Sequence, residues 1–151
     1  MLSFTIPGAP QGKGRAKIVK IGGFSRMATP TKTVAYEGLV AHAAQSAMNG
    51  RPIFDCPMAC NVFIDAPIPA SWSQKKQKQA REGGLLPTSK PDIDNVVKAV
   101  FDGLNAVLWR DDVLVVDLRV RKRFSATPGV RVEVWALDEP VQQNETIGVA
   151  A

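Results

Sequence analysis

The segment from Lys90 to Leu118 constrains this chain most. Within it a helical period changes to a strand period, and carboxylates stand at both ends of the helix. Val97, Val100, Phe101, Leu104 and Leu108 recur at spacings of three and four, which predicts an amphipathic helix over residues 94–108. Asp94 falls at its expected N-cap, where a carboxylate can accept from free backbone N–H groups. From 113 to 124 the pattern alternates. Leu114, Val116, Leu118 and Val120 share one face, and Asp117, Arg119, Arg121 and Arg123 share the other, as in a strand half-buried against a core.

The rest of the chain reads the same way. Leu2, Phe4 and Ile6 alternate as a short strand ended by Pro7 and Pro10, and residues 8–26 read as a loop rich in Gly, Lys and Arg. A helix is expected from Pro30-Thr31 to Met48, with Tyr36, Val40, Ala43, Ala44 and Ala47 on one side and Asn49-Gly50 as its stop. Met58, Cys60, Val62 and Ile64 mark a second strand. Residues 71–82 suit a short basic helix closed by Gly83-Gly84. Val130, Val132 and Val134 mark a last strand, and Thr127-Pro128-Gly129 suggests that it forms a hairpin with the strand before it. The order implies an α+β fold, a mixed or antiparallel sheet with helices on one face in a single compact domain. That domain is expected over residues 1–138, with residues 139–151 as a flexible tail.

Charge narrows the function classes. The net charge of +5 hides a basic first part, +8 over residues 1–91, and an acidic second part, −3 over residues 92–151. A basic surface favours a polyanionic partner. Carboxylates repel phosphates unless they hold a divalent cation, and then both halves suit one substrate. Two cysteines, Cys56 and Cys60, and one histidine, His42, do not make a four-ligand zinc site and read as small core thiols. The start MLSFTIPGAP has no signal-peptide pattern and no apolar run spans a bilayer, so a cytoplasmic protein without membrane contact is expected.

Asp92, Asp94, Asp102, Asp111 and Asp112 form the candidate site. If residues 90–94 are extended, Asp92 and Asp94 point the same way, and a chain reversal after the helix would bring Asp111 and Asp112 back beside it. Mg²⁺ prefers oxygen ligands and keeps several waters, and such an ion can lower the pKa of a water and offset charge on a phosphate. Taken singly, each Asp also suits a helix cap or a solvated turn. Taken with Lys98, the set favours a metal site binding Asp92, Asp94, Asp111 and Asp112. Lys98 would then stabilise the phosphate, and Asp102 would orient Lys98 or support the ligands.

Lys13, Arg15, Lys17, Lys20 and Arg26, then Lys75, Lys76, Lys78 and Arg81 near Trp72, then Arg119, Arg121 and Arg123, are the candidate contacts to a nucleic-acid backbone. The sequence GAPQGK is no P-loop, because three residues separate its glycines and Gly14 replaces the required Ser or Thr. Trp72 and Phe24 suit either base stacking or packing.

The run KPDIDNVVKAVFDGLNAVLWRDDVLVVDL resembles the signature of the RusA family of Holliday junction resolvases, many of them phage-encoded. Asp92, Asp94, Asn95, Lys98, Asp102, Leu104, Trp109, Asp111 and Asp112 each fall where that pattern has its marked residues. The resemblance implies a homodimer needing Mg²⁺ or Mn²⁺ that nicks two strands of a four-way DNA junction, leaving 5′-phosphate and 3′-hydroxyl ends. It implies catalytic roles for Asp92, Asp94, Asp112 and Lys98, with Asp111 contributing and Asn95 supporting. Leu114 stands where many members have Gln, and the basic segment 71–82 is absent from the shortest members. A non-catalytic binder of branched DNA and a two-metal hydrolase of small phosphate esters are the rival readings.

Overall fold

A computed structural model describes residues 1–28 and 30–137, without the Lys17 side chain. The expected tail at 139–151 lies outside the described residues.

Four strands, β1 (Leu2–Pro7), β4 (Met58–Pro67), β5 (Val115–Ser125) and β6 (Gly129–Ala136), form a mixed sheet in the order β1-β6-β4-β5. Strands β2 (Lys17–Ile21) and β3 (Phe24–Ala28) form a separate two-stranded ribbon. The helices are α1 (Thr31–Met48), α2 (Gln74–Arg81) and α3 (Ile93–Leu104). The α+β class and the mixed sheet are as expected. One core lies between the sheet and helices α1 and α3, where Ile6, Val62, Ile64, Val130, Val132 and Val134 meet Val40, Ala44, Val96, Val100 and Leu104. Strand alternation puts these side chains on one face. Gly103 lets the helices cross closely, since a Cβ there would stand 2.8 Å from the Val40 Cβ and 2.9 Å from the Glu37 carbonyl oxygen.

Three local expectations change. Strands β5 and β6 do not form a hairpin: β4 lies between them, parallel to β5 and antiparallel to β6. The short turn crosses the end of β4, which stops at Pro67, and β4 takes an interior place in which Met58, Cys60, Val62 and Ile64 are buried on the core face. The loop expected over residues 8–26 contains most of the β2–β3 ribbon, closed by Gly22-Gly23. Both of those glycines have positive φ, as a two-residue hairpin turn needs. Helix α3 ends at Leu104 instead of 108. Asn105 is extended, its Oδ1 accepts from Trp109 Nε1 at 2.8 Å, and the Ala106 N–H donates to the Trp109 carbonyl at 2.8 Å. Burying both Leu108 and Trp109 outweighs another helical turn.

Cys60 is buried among apolar side chains, which push its thiol up to about 12, so it is an inert core residue. Among the described residues no helix is long and apolar enough to cross a membrane.

Candidate active site

The motif segment enters α3 through a cis Lys90–Pro91 peptide. Lys122 holds that entrance: its Nζ donates to the Ser89 carbonyl at 2.9 Å and the Pro91 carbonyl at 3.0 Å. The α3 N-cap is Asp92, not Asp94, and its side chain makes no capping bond. Asn95 Nδ2 instead donates to Asp92 Oδ1 at 2.9 Å. Hydrogen bonding with Asp94, then with Asn95, holds the Asp92 carboxyl below its usual range. Asp94 lies in the first helical turn, where the helix dipole favours an anion. The expected extended run through Asp94 therefore stops at Asp92, two residues earlier.

Asp94 and Lys98, one turn apart, line an open groove of 570 Å³ between α3 and β5, and Asp112 lines the same groove from the far side. Its walls are apolar: Ile93, Val97, Phe101, Val116 and Leu118. The chain reversal expected after the helix thus occurs, and Trp109 fixes it. This fully buried indole packs edge-on against Phe101, with ring centroids 5.1 Å apart. Asp111 is held in the turn, its Oδ1 accepting from the Val113 N–H at 2.9 Å, which leaves Asp112 presented to the groove. Burial first, then the like charges of Asp111 and Asp102, raise the Asp112 carboxyl above its usual value despite a hydrogen bond from Asn105. A carboxylate so placed suits a nearby cation.

Asp92 lines a second recess with Gln11, Gly12, Lys13 and Asn95. Among the described residues no three acidic, Cys or His side chains converge on one point as a ready-made cage. The oxygen donors suit a hard ion that keeps much of its water and takes one or two protein carboxylates. The side chains that fit it are Asp94 and Asp112, which line one groove.

The basic residues divide. Lys13 was an expected backbone contact, but its ammonium is already occupied by Glu37 and by Asp102, the latter at 2.9 Å. Burial works against its charge, yet hydrogen bonds and charges from these two carboxylates outweigh that and raise its pKa. Asp102 consequently serves Lys13 rather than orienting Lys98. Lys13→Met should cost about 1–3 kcal/mol in urea unfolding, because it leaves two part-buried carboxylates without their donor. Lys20→Met, on the exposed ribbon, should change stability by less than about 0.5 kcal/mol.

Arg119, Arg121 and Arg123 alternate with Leu118, Val120 and Lys122 along β5 and so stand on the sheet face opposite those three, where Arg121 lies over the Phe63 ring at 4.6 Å. Trp72 is a packing anchor: it meets Phe124 edge-on at 5.3 Å, and Lys76 Nζ sits 4.0 Å above its ring. Lys75 and Lys78 are exposed on α2, as are Arg15, Lys20 and Arg26 on or beside the ribbon. The Lys17 side chain lies outside the described residues.

Sequence reasoning missed Glu37 and Lys122. Both left a signal. Lys122 occupies an apolar-face position of β5, and Glu37 sits beside the buried stripe of α1.

The family described as "Endodeoxyribonuclease RusA" matches residues 7–135. The chain is also similar to "Uncharacterized protein YqaN" of Bacillus subtilis (strain 168), 38% identical over 135 residues that cover 88% of this chain and 94% of the relative.

Proposed function

The chain belongs to the RusA endodeoxyribonuclease family, and from that premise we propose that it resolves Holliday junctions and other branched DNA by Mg²⁺-dependent hydrolysis of the phosphodiester backbone. The observation that carries this reading is the groove in which Asp94 and Lys98 of α3 face Asp112 from the following turn. Asp94 and Asp112 would hold the ion. Mg²⁺, or Mn²⁺ in its place, supplies concentrated positive charge beside the phosphate when bound. Lys98, one helical turn from Asp94, offsets negative charge that develops on the phosphate oxygens. Asn95 holds Asp92 at the start of the helix, and Asp111 holds the turn that presents Asp112. A purely binding role leaves the unfavourable Asp112 carboxylate without a use. A small phosphate ester leaves the exposed basic residues without one. DNA as substrate implies a cytoplasmic location.

A homodimer is supported by β5, an edge strand on which Val116 is 65% exposed and Leu118 41%. Antiparallel pairing of two copies about a twofold axis at Leu118 would set Asp117 opposite Arg119 and Val116 opposite Val120, each twice. Opposite charges and apolar pairs across strands are both favourable, and an unpaired apolar edge invites a partner.

The test is incubation with a synthetic four-way junction, a linear duplex of the same sequence and a nucleoside triphosphate, each with Mg²⁺ or a chelator. Paired nicks in the junction with Mg²⁺ alone are expected. Junction cleavage undiminished by chelator removes the metal from the reading, and preference for the triphosphate removes the nuclease. Sedimentation equilibrium should give twice the chain mass, and a monomer would remove the dimer.

A further inference from the structure

Among the described residues, the β2–β3 ribbon contributes no side chain to the groove. Phe24 is 80% exposed, Ile18 72%, Met27 63% and Ile21 53%, and the ribbon makes no more than slight contact with any other element. Two strands alone are marginal in water, and a concentration of exposed apolar side chains on them marks an interaction surface. Resting on the reading of this protein as a branched-DNA nuclease, we propose that the ribbon is a DNA-reading arm whose tip pair, Ile21 and Phe24, wedges against the bases at the branch point.

Three observations choose this occupant. First, charge: Arg15, Lys20 and Arg26 accompany the apolar side chains, and residues 11–28 contain no Asp or Glu, so the partner is anionic as well as apolar-faced. Nucleic acid offers both, phosphates outside and base faces within. Second, shape: Ile21 and Phe24 are cross-strand partners beside the Gly22-Gly23 turn, so they form one apolar tip. Each five-residue strand reaches about 16 Å at 3.3 Å per residue. A two-stranded ribbon enters a major groove about 12 Å wide and 8.5 Å deep, so its tip gets to base level. Third, position: the base of the ribbon is tied to the active-site helix. The Lys13 N–H donates to the Asn95 carbonyl at 3.0 Å and its side chain to Asp102, while the Gly14 N–H donates to Thr33 Oγ1 at 2.9 Å. Gly14 fits there because a Cβ would stand 2.6 Å from that oxygen and 2.8 Å from Pro30 Cγ.

Apolar wedges unstack base steps at an energetic cost in intact duplex. At a branch point the stacks are already interrupted, so the same wedge favours junctions over linear DNA. The ribbon then contributes selectivity, while its cations contribute affinity for any DNA.

The experiment compares wild type with Ile21→Ala/Phe24→Ala and with Lys20→Gln/Arg26→Gln, using a four-way junction carrying 2-aminopurine at its centre and a matched duplex. Wild-type binding should raise the 2-aminopurine fluorescence. The apolar double variant, with unchanged melting temperature, should lose that rise and bind the junction about tenfold or more weakly, with duplex affinity within about twofold. The charge variant should weaken both DNAs together and flatten the salt dependence. Full junction selectivity and fluorescence in the apolar variant would overturn the wedge, as would loss of self-association or of binding to anionic vesicles in place of the junction effect. Absence of any junction preference in the wild type would instead overturn the proposed function.

Discussion

Asp112→Asn should lower junction cleavage by about 10²–10³-fold or more, the scale of losing a group aimed at the reacting phosphate, while junction binding survives or tightens. Binding persists because the substitution removes a negative charge from the face that meets phosphates. The same change should make the metal-free protein slightly more stable at neutral pH. Burial, Asp111 and Asp102 hold the folded Asp112 carboxyl above its ordinary value. The folded state therefore binds that proton more tightly than the unfolded chain. The stability from this group is present below the ordinary carboxylate value and is lost as pH rises through the folded value. Melting curves should show the variant ahead of wild type at pH 7 and level with it near pH 3. A second readout separates metal binding from catalysis: Mg²⁺ should raise the melting temperature of wild type and have less effect on the variant. Full cleavage by the variant, or a melting point lowered at pH 7, would refute the assignment of Asp112.

Trp109→Ala should cost about 3–5 kcal/mol, a large share of the roughly 5–15 kcal/mol that stabilises a domain. The indole is fully buried, stacks edge-on with Phe101 and donates to Asn105 at 2.8 Å. Below its lowered melting point the variant should also cleave poorly, because the turn carrying Asp111 and Asp112 hangs on that side chain. Trp109→Phe keeps most of the packing and leaves Asn105 without its donor, so it should lose about 1–3 kcal/mol and retain more activity. Wild-type cleavage by a folded Trp109→Ala protein would show that the turn holds its place without the indole.

The site is a compromise between stability and chemistry. Asp112 is uncomfortable in the folded state, and Asp102 adds to its burden even while paired with Lys13. That pairing explains why a lysine from a basic loop is spent inside the molecule. It bridges Glu37 and Asp102, ties the ribbon to α3, and leaves Lys98 as the ammonium on the groove.

Much of this was legible in the chain itself, because the signals are local. The two-residue alternation of β1, β4, β5 and β6, the stripe of α1 and the stop at Asn49 depend on near neighbours along the sequence. The motif from Lys90 to Leu118 identified the family from residue types and order alone. Tertiary structure decided what depends on distant partners. It placed β4 between β5 and β6, because strand order depends on pairing between segments far apart in the chain, which local alternation does not encode. It ended α3 early, because Trp109 gains more from the core than the helix gains from another turn. It drew Lys13, Glu37 and Asp102 together from three separate segments, and turned the Arg119–Arg123 row away from the groove. Periodicity tells a side chain which face it occupies. What stands opposite that face is settled when the whole chain packs.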